Sequence, residues 1–224
     1  MLLSKDKRIL IYLFLLVFLG SINNKHFNNI EIFKIKNLKL DGLNEKEKLQ
    51  LLLQLEQVKK QNIFLLPKKK LIEILNSNNL IESFLINKNY PSELNIFVKK
   101  TSFLANININ EQNFLIGSNK KLIQSESINS NLPIIFGNPS VEDFFSIKNN
   151  IKKSLISFKN VNQLHFFPSK RWDLELKNGV LIKLPILNPV ESLNNYFTVR
   201  NLPQFEKIKI FDMRINNQII VNEL

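Results

Sequence analysis

Cysteine is absent from all 224 residues, which removes a disulfide framework and any thiolate-ligated metal site from consideration. Histidine is scarce too. His26 falls in a polar stretch and His165 in an apolar one, so one chain offers no multi-histidine metal centre. Five glycines in the whole chain supply no phosphate-cradling loop. Arginine is limited to Arg8, Arg171, Arg200 and Arg214 among 31 basic side chains, so the formal charge of +12 is almost entirely lysine. Proteins that grip nucleic acid favour the bidentate guanidinium and stack aromatics within a basic groove. Here the pairs Lys59-Lys60, Lys99-Lys100, Lys120-Lys121 and Lys152-Lys153 are scattered, and abundant Asn and Ile beside them point to A/T-rich coding. Nucleic acid, cofactors and small-molecule substrates are accordingly not expected as partners. A hydrophobic content of 44% over this length does support a folded chain with a proper core.

Long hydrophobic runs are lacking with one exception, ILIYLFLLVFLGSI from Ile9 to Ile22, which follows Lys5, Lys7 and Arg8 and precedes Asn23-Asn24-Lys25-His26. Its 14 residues rise about 21 Å as a helix, against roughly 30 Å of bilayer hydrocarbon. Spanning calls for snorkelling by Lys7 and Arg8, local thinning, or helix continuing through Asn23. Cleavage as a secretory signal needs small residues at positions −3 and −1. A cut after Gly20 puts Phe18 at −3, and a cut after Ser21 puts Leu19 there. The expectation is therefore a cytoplasmic tail over 1–8, an uncleaved anchor over 9–24 and an exported remainder, with an atypical signal peptide as the alternative.

Beyond the linker, Phe33, Ile35, Leu38 and Leu40 alternate with lysines, with a phase slip near Asn37, and predict a first strand ending in an Asp41-Gly42 turn. Asn44 and Glu47 have the spacing of a capping box, and Leu49, Leu52, Leu53 and Val58 supply an apolar face for a first helix. A second helix is expected from Pro67, burying Leu71, Ile72 and Leu75 and stopping at Asn76 to Asn79. Asn62-Ile63-Phe64 lies between the two. Strands follow at 81–87 and around Leu94, Ile96 and Val98, joined by a Tyr90-Pro91-Ser92 turn.

Residues 101–224 carry short strands, with two amphipathic stretches over 141–156 and 190–199 that each follow an Asn-Pro pair. Leu132 to Gly137 reads as a buried strand ending at glycine. RWDLELKNGVLIKLP, Arg171 to Pro185, is the strongest hairpin signal. A two-residue Asn178-Gly179 loop would set Leu174 against Lys183. A loop of Lys177, Asn178 and Gly179 instead pairs Leu176 with Val180, Leu174 with Ile182 and Trp172 with Leu184. The second register puts those six apolar residues on one face and needs Gly179 in the left-handed conformation.

The order strand, Gly turn, helix, NIF, helix, strand, Tyr-Pro-Ser turn and LNIFVKKTSFLANI resembles the POTRA domain of the bacterial FtsQ (DivIB) division family. The Arg171-Trp172-Asp173 hairpin resembles that family's too, particularly its alphaproteobacterial members, as do Leu132 to Gly137 and the Ile210-Phe211-Asp212-Met213-Arg214-Ile215 strand. Lys100 and Thr101 depart from a frequent Glu-Arg, and Asn87-Lys88-Asn89 from a common Arg. The resemblance implies an α+β protein: an N-terminal transmembrane helix, a POTRA domain (βααββ) over 30–100, and a mostly antiparallel β domain with two helices over 101–224. It further implies a non-enzymatic inner-membrane protein at the division septum, its body periplasmic, that binds FtsB and FtsL. Arg214, Ile215, Asn217 and Gln218 fall where that family's motif places partner-contacting positions, and with Ile219 and Val221 they are expected to form a partner-binding last strand suited to pairing at a sheet edge.

Two other readings stand beside it. One is a different envelope POTRA protein serving export or outer-membrane assembly. The other is a peptidoglycan-acting enzyme built around His165, although no G-x-S-x-G or comparable nucleophile motif accompanies that residue. His165 reads more simply as a strand histidine with a local partner, and Glu142-Asp143 as carboxylates at a helix N-terminus.

Overall fold

The computed structural model describes residues 5–22, 31–215 and 218–222. The linker from Asn23 to His26, the Asn216-Asn217 turn and the site position Asn217 lie outside the described residues. Helix α1 runs Lys5–Ile22. Its first turn carries the charged residues, and Ile9 through Leu19 are exposed. No helix among the described residues is long and apolar enough to cross a membrane.

The chain divides into two compact units, residues 1–100 and 101–224. In the first, β1 (Asn37–Asp41) pairs in parallel with β3 (Glu93–Lys100), which pairs antiparallel with β2 (Ile81–Asn89), giving the order β1-β3-β2. Helices α2 (Glu45–Gln54), α3 (Glu56–Lys59) and α4 (Lys68–Ser77) lie between β1 and β2 in sequence. Asn44 and Glu47 form the expected capping box, each side chain accepting from the other's backbone N–H. Gly42 has φ +99°, and a Cβ there would sit 1.7 Å from the Val98 carbonyl oxygen, so this turn accepts only glycine.

Three details differ from expectation. The first strand begins at Asn37, because residues 31–33 form a 3-10 turn and the slip in alternation marks where the ladder starts. The first helix is broken at Leu55 (φ −90°, ψ 0°) into α2 and α3. Its buried stripe is Leu51, Leu55 and Val58, at spacings of four and three, which leaves Leu49 and Leu53 exposed. In α4 Leu71 and Leu75 are buried, while Ile72, one position round the helix from Leu71, faces out. The core of this unit closes around Leu40, Ile63, Leu94 and Ile96.

The second unit is a nine-stranded sheet. Its strands are β4 (Phe103–Ile109), β5 (Gln112–Gly117), β6 (Leu122–Gln124), β7 (Ile134–Phe136), β8 (Val161–Phe166), β9 (Trp172–Leu176), β10 (Leu181–Lys183), β11 (Ile210–Asp212) and β12 (Ile220–Asn222). Across the sheet they run β12-β11-β10-β9-β8-β7-β4-β5-β6. The pairs β4–β7, β7–β8 and β10–β11 are parallel and the other neighbours antiparallel. Parallel neighbours need crossovers, and two contain a helix: α5 (Val141–Lys153) joins β7 to β8, and α6 (Pro189–Arg200) joins β10 to β11. Phe144, Ile147 and Ile151 of α5 and Leu193 and Tyr196 of α6 fill one core with the sheet.

Both helix starts follow their sequence. Ser140 caps α5 in a reciprocal box with Asp143, and Pro189 takes the first turn of α6. The Asp143 carboxyl is held below its ordinary range, chiefly by the Ser140 hydroxyl, so capping accounts for it. The β9–β10 hairpin has the three-residue loop: Leu176 N–H donates to Val180 O at 2.8 Å, Leu174 faces Ile182, and Gly179 has φ +80°. Trp172, Leu174, Leu176, Val180, Ile182 and Leu184 are all buried.

Candidate functional site

The two edges of the large sheet are β6 and β12. The β12 edge concentrates the sequence-predicted positions, and it is built by alternation. Val221 lies opposite Phe211 of β11 and packs, half-buried, against the core, as does Ile219. Ile220 lies opposite Asp212 and turns outward, 52% exposed. On its far side β12 has no neighbouring strand among the described residues. An edge strand presents unpaired backbone N–H and C=O groups to any strand that approaches.

The predicted strand over Ile210 to Ile215 is shorter than expected. The strand ends at Asp212, the Met213 N–H makes the last bond to β10 at Lys183 O (2.9 Å), and the chain turns at Ile215, whose carbonyl accepts from the Gln218 N–H at 3.2 Å. The cause lies in Asp212. Its carboxylate accepts from the Arg214 backbone N–H at 3.2 Å and from Arg214 Nε at 2.8 and 3.0 Å, a local clamp that competes with continued pairing. The same contacts hold the Asp212 carboxyl below its ordinary range and raise the Arg214 guanidinium. Arg214 is thus engaged within the chain, whereas Ile215 stands 53% exposed. Gln218 and Ile219 line a groove with Asn188, Glu191, Ser192 and Asn195 of α6 and its cap.

A second layer of the site runs across the sheet. Register places Phe136, His165, Asp173, Lys183, Asp212 and Ile220 in one row over six strands. Asp173 is 4% exposed and takes a hydrogen bond from Arg171 Nε at 3.2 Å. Burial pushes its carboxyl above the ordinary range, against the pull of Arg171, Lys183 and Arg214. His165 lies flat on the Phe136 ring, centroids 5.0 Å apart, and so has the local partner expected of a strand histidine. No cluster of metal-binding side chains is found among the described residues. Beside the row, Arg171, Pro185, Ile186, Leu187, Arg214 and Ile215 line an open hollow. Ile186 and Leu187 are 58% and 71% exposed.

The structure therefore brings Arg214, Ile215, Gln218, Ile219 and Val221 to one corner of the sheet. It adds Ile220, Arg171, Ile186 and Leu187, which sequence reasoning missed. Ile220 was legible in the alternation, since inward Ile219 and Val221 require an outward residue between them. Ile186 and Leu187 carried no local signal, because an apolar pair after Pro185 reads equally as core. What this corner offers is a free strand edge, exposed aliphatic side chains and paired charges, the equipment of a protein-docking surface.

Comparisons with known proteins bear on the same region. Residues 105–214 match the family described as cell division protein FtsQ/DivIB, C-terminal. The cell division protein FtsQ of Rickettsia bellii (strain RML369-C) is 24% identical over 208 residues, which cover 85% of this chain and 73% of that one. Among solved structures, the major extracytoplasmic domain of the division protein DivIB from Geobacillus stearothermophilus aligns with a TM-score of 0.35 at 13% identity, over 46% of this chain and 92% of that one. The family match takes in the Trp172 hairpin, Asp212 and Arg214, and over residues 105–214 this chain carries the C-terminal domain of the FtsQ/DivIB family of cell division proteins.

Proposed function

We propose that this cell division protein acts without catalysis, as a bitopic inner-membrane component of the septal complex that captures FtsB, with FtsL, by β-augmentation at β12. Helix α1 serves as the anchor, the first unit as a POTRA domain in the periplasm, and the second as the docking platform. The observation that carries this reading is the place of β12 at the edge of the nine-stranded sheet, with Ile215 and Ile220 exposed beside it. An incoming strand would continue the ladder through backbone hydrogen bonds, while Ile215, Ile220 and the hollow at Ile186 and Leu187 supply side-chain specificity. The lysine-rich tail before Ile9 sets the N-terminus inside.

Two substitutions test it on the full chain. Ile215→Lys places a charge on the exposed corner, and Ile219→Pro removes a backbone donor and blocks the edge. Both should reduce FtsB capture at least tenfold in a pull-down while the first unit keeps its fold by circular dichroism. Undiminished capture by folded variants would sink the mechanism. Localisation of a fluorescent fusion tests the wider role, which predicts a band at the division site and is contradicted by uniform envelope staining.

A further inference from the structure

The Asn62-Ile63-Phe64 motif and the Tyr90-Pro91-Ser92 turn, both conspicuous in sequence, play no part in the β12 edge. The fold brings them together at the start of the first unit. The Phe33 ring meets Phe64 edge-on at 5.1 Å, and Phe64 stacks on Tyr90 at 4.5 Å. The ladder is fixed from below. Ile63 is fully buried and its N–H donates to Phe33 O at 2.9 Å, while Asn62 Oδ1 accepts from the Phe64 N–H. Lys88 Nζ donates to Ile63 O at 2.7 Å.

On this rigid support stand side chains that water does not favour. Ile32, Phe64, Leu65 and Tyr90 are 61%, 49%, 44% and 57% exposed. Lysines share this end of the unit. Lys34 pairs through its backbone with Asn62, the Lys36 backbone N–H donates to Ser92 O, Lys60 precedes the motif in sequence, and the Lys88 pKa is lowered by burial and then by the charge of Lys68. The acidic residues nearby are paired, Glu31 with Lys34 at 3.5 Å and Glu93 with Lys39 at 2.9 Å. Aromatic and aliphatic tips beside lysines are the composition of a surface that sits among lipid headgroups.

Chain length supplies the occupant. The patch begins at Ile32, and only residues 23–30 separate the end of α1 at Ile22 from Glu31. Fully extended, that tether reaches no more than roughly 30 Å. We infer that the Ile32, Phe64, Leu65 and Tyr90 patch docks on the outer headgroup layer of the membrane that holds α1, seating the first unit on an anionic lipid surface. This rests on the reading of α1 as an anchor.

The absence of native cysteine permits a test without background labelling. The full chain, spin-labelled singly at Leu13→Cys, Leu65→Cys or Asp41→Cys at the far end of β1, is reconstituted into vesicles of phosphatidylethanolamine with phosphatidylglycerol. Accessibility to oxygen and to an aqueous nickel chelate is then compared. The label of Leu13→Cys should read as hydrocarbon, that of Asp41→Cys as water, and that of Leu65→Cys as interface, with an oxygen-over-nickel ratio several-fold above the Asp41→Cys value. Adding Ile32→Asp and Tyr90→Ser should return the label at position 65 to water. A water-exposed label at 65 with a hydrocarbon label at 13 overturns the docking and spares the anchor. A water-exposed label at 13 removes the anchor, and the inference with it.

Discussion

The centre and the edge of the large sheet solve the same problem with unequal means. At the centre, the β9–β10 hairpin buries six apolar side chains on one face, with Leu181 half-buried on the other, and fixes its register through one left-handed glycine. At the edge, β11 and β12 are three residues each, and of the β12 triplet only Val221 turns inward. The two regions each hold an Asp followed two residues later or preceded by an Arg, Arg171 with Asp173 and Asp212 with Arg214, yet the carboxyls shift in opposite directions. Burial dominates at Asp173, and hydrogen bonding from Arg214 dominates at Asp212. The contrast is that the centre buries its apolar side chains, while the edge pairs Asp212 with Arg214 locally and leaves backbone groups and apolar side chains available.

The sharpest test of that contrast is Leu174→Ala. Leu174 is fully buried at the middle of the hairpin, and its truncation should cost about 2–5 kcal/mol, read by Trp172 fluorescence in urea. A cost no greater than that of Ile220→Ala would break the comparison. Next is Arg171→Ala, expected to cost roughly 1–3 kcal/mol near neutral pH because it leaves a buried carboxylate without its partner. The sign follows from Asp173. Its folded pKa is raised, so its favourable contribution is present at acid pH and is lost as pH rises through that value. Removing Arg171 raises it further, so the deficit should shrink in acid and grow toward neutrality.

Asp212→Asn should show the mirror image. The folded Asp212 carboxyl is lowered, so its contribution is present above the ordinary carboxylate range and lost as pH falls. Urea midpoints of variant and wild type should converge in acid and separate toward neutrality. Parallel midpoint curves would show that the clamp adds nothing to the folded state. The smallest effect on stability belongs to Ile220→Lys, within about 0.5 kcal/mol as for other surface positions. The same substitution should nonetheless impair FtsB capture. A large stability loss instead would assign Ile220 to the core rather than to a docking edge.

How much was legible in sequence varies with how local the governing contacts are. The hairpin register was readable because Asn178-Gly179 and the alternation from Trp172 to Leu184 specify it within one segment. The Asn44 and Ser140 boxes were local in the same way, although the capping of α5 by Ser140 was visible only as carboxylates near a helix start. The parallel pairs β1–β3, β4–β7 and β10–β11 were not readable, since each joins segments separated by a crossover. The buried face of α2 was misjudged because too many leucines competed for it, and the break at Leu55 rotated the choice toward Leu51, Leu55 and Val58. The proposed docking corner was partly visible. Its backbone placement depends on α6 carrying the chain back beside β10, so Arg171, Ile186 and Leu187 joined it only through tertiary structure.

The bond between Asp212 and Arg214 also sets a condition on whatever docks at this corner. A partner carboxylate that takes over the guanidinium must displace Asp212, and the freed carboxyl then returns toward its ordinary affinity for protons. The incoming carboxylate is lowered in its turn by the same guanidinium, so capture through Arg214 exchanges one carboxylate for another, and titration calorimetry in buffers of different ionisation heat should register little net proton uptake near neutral pH.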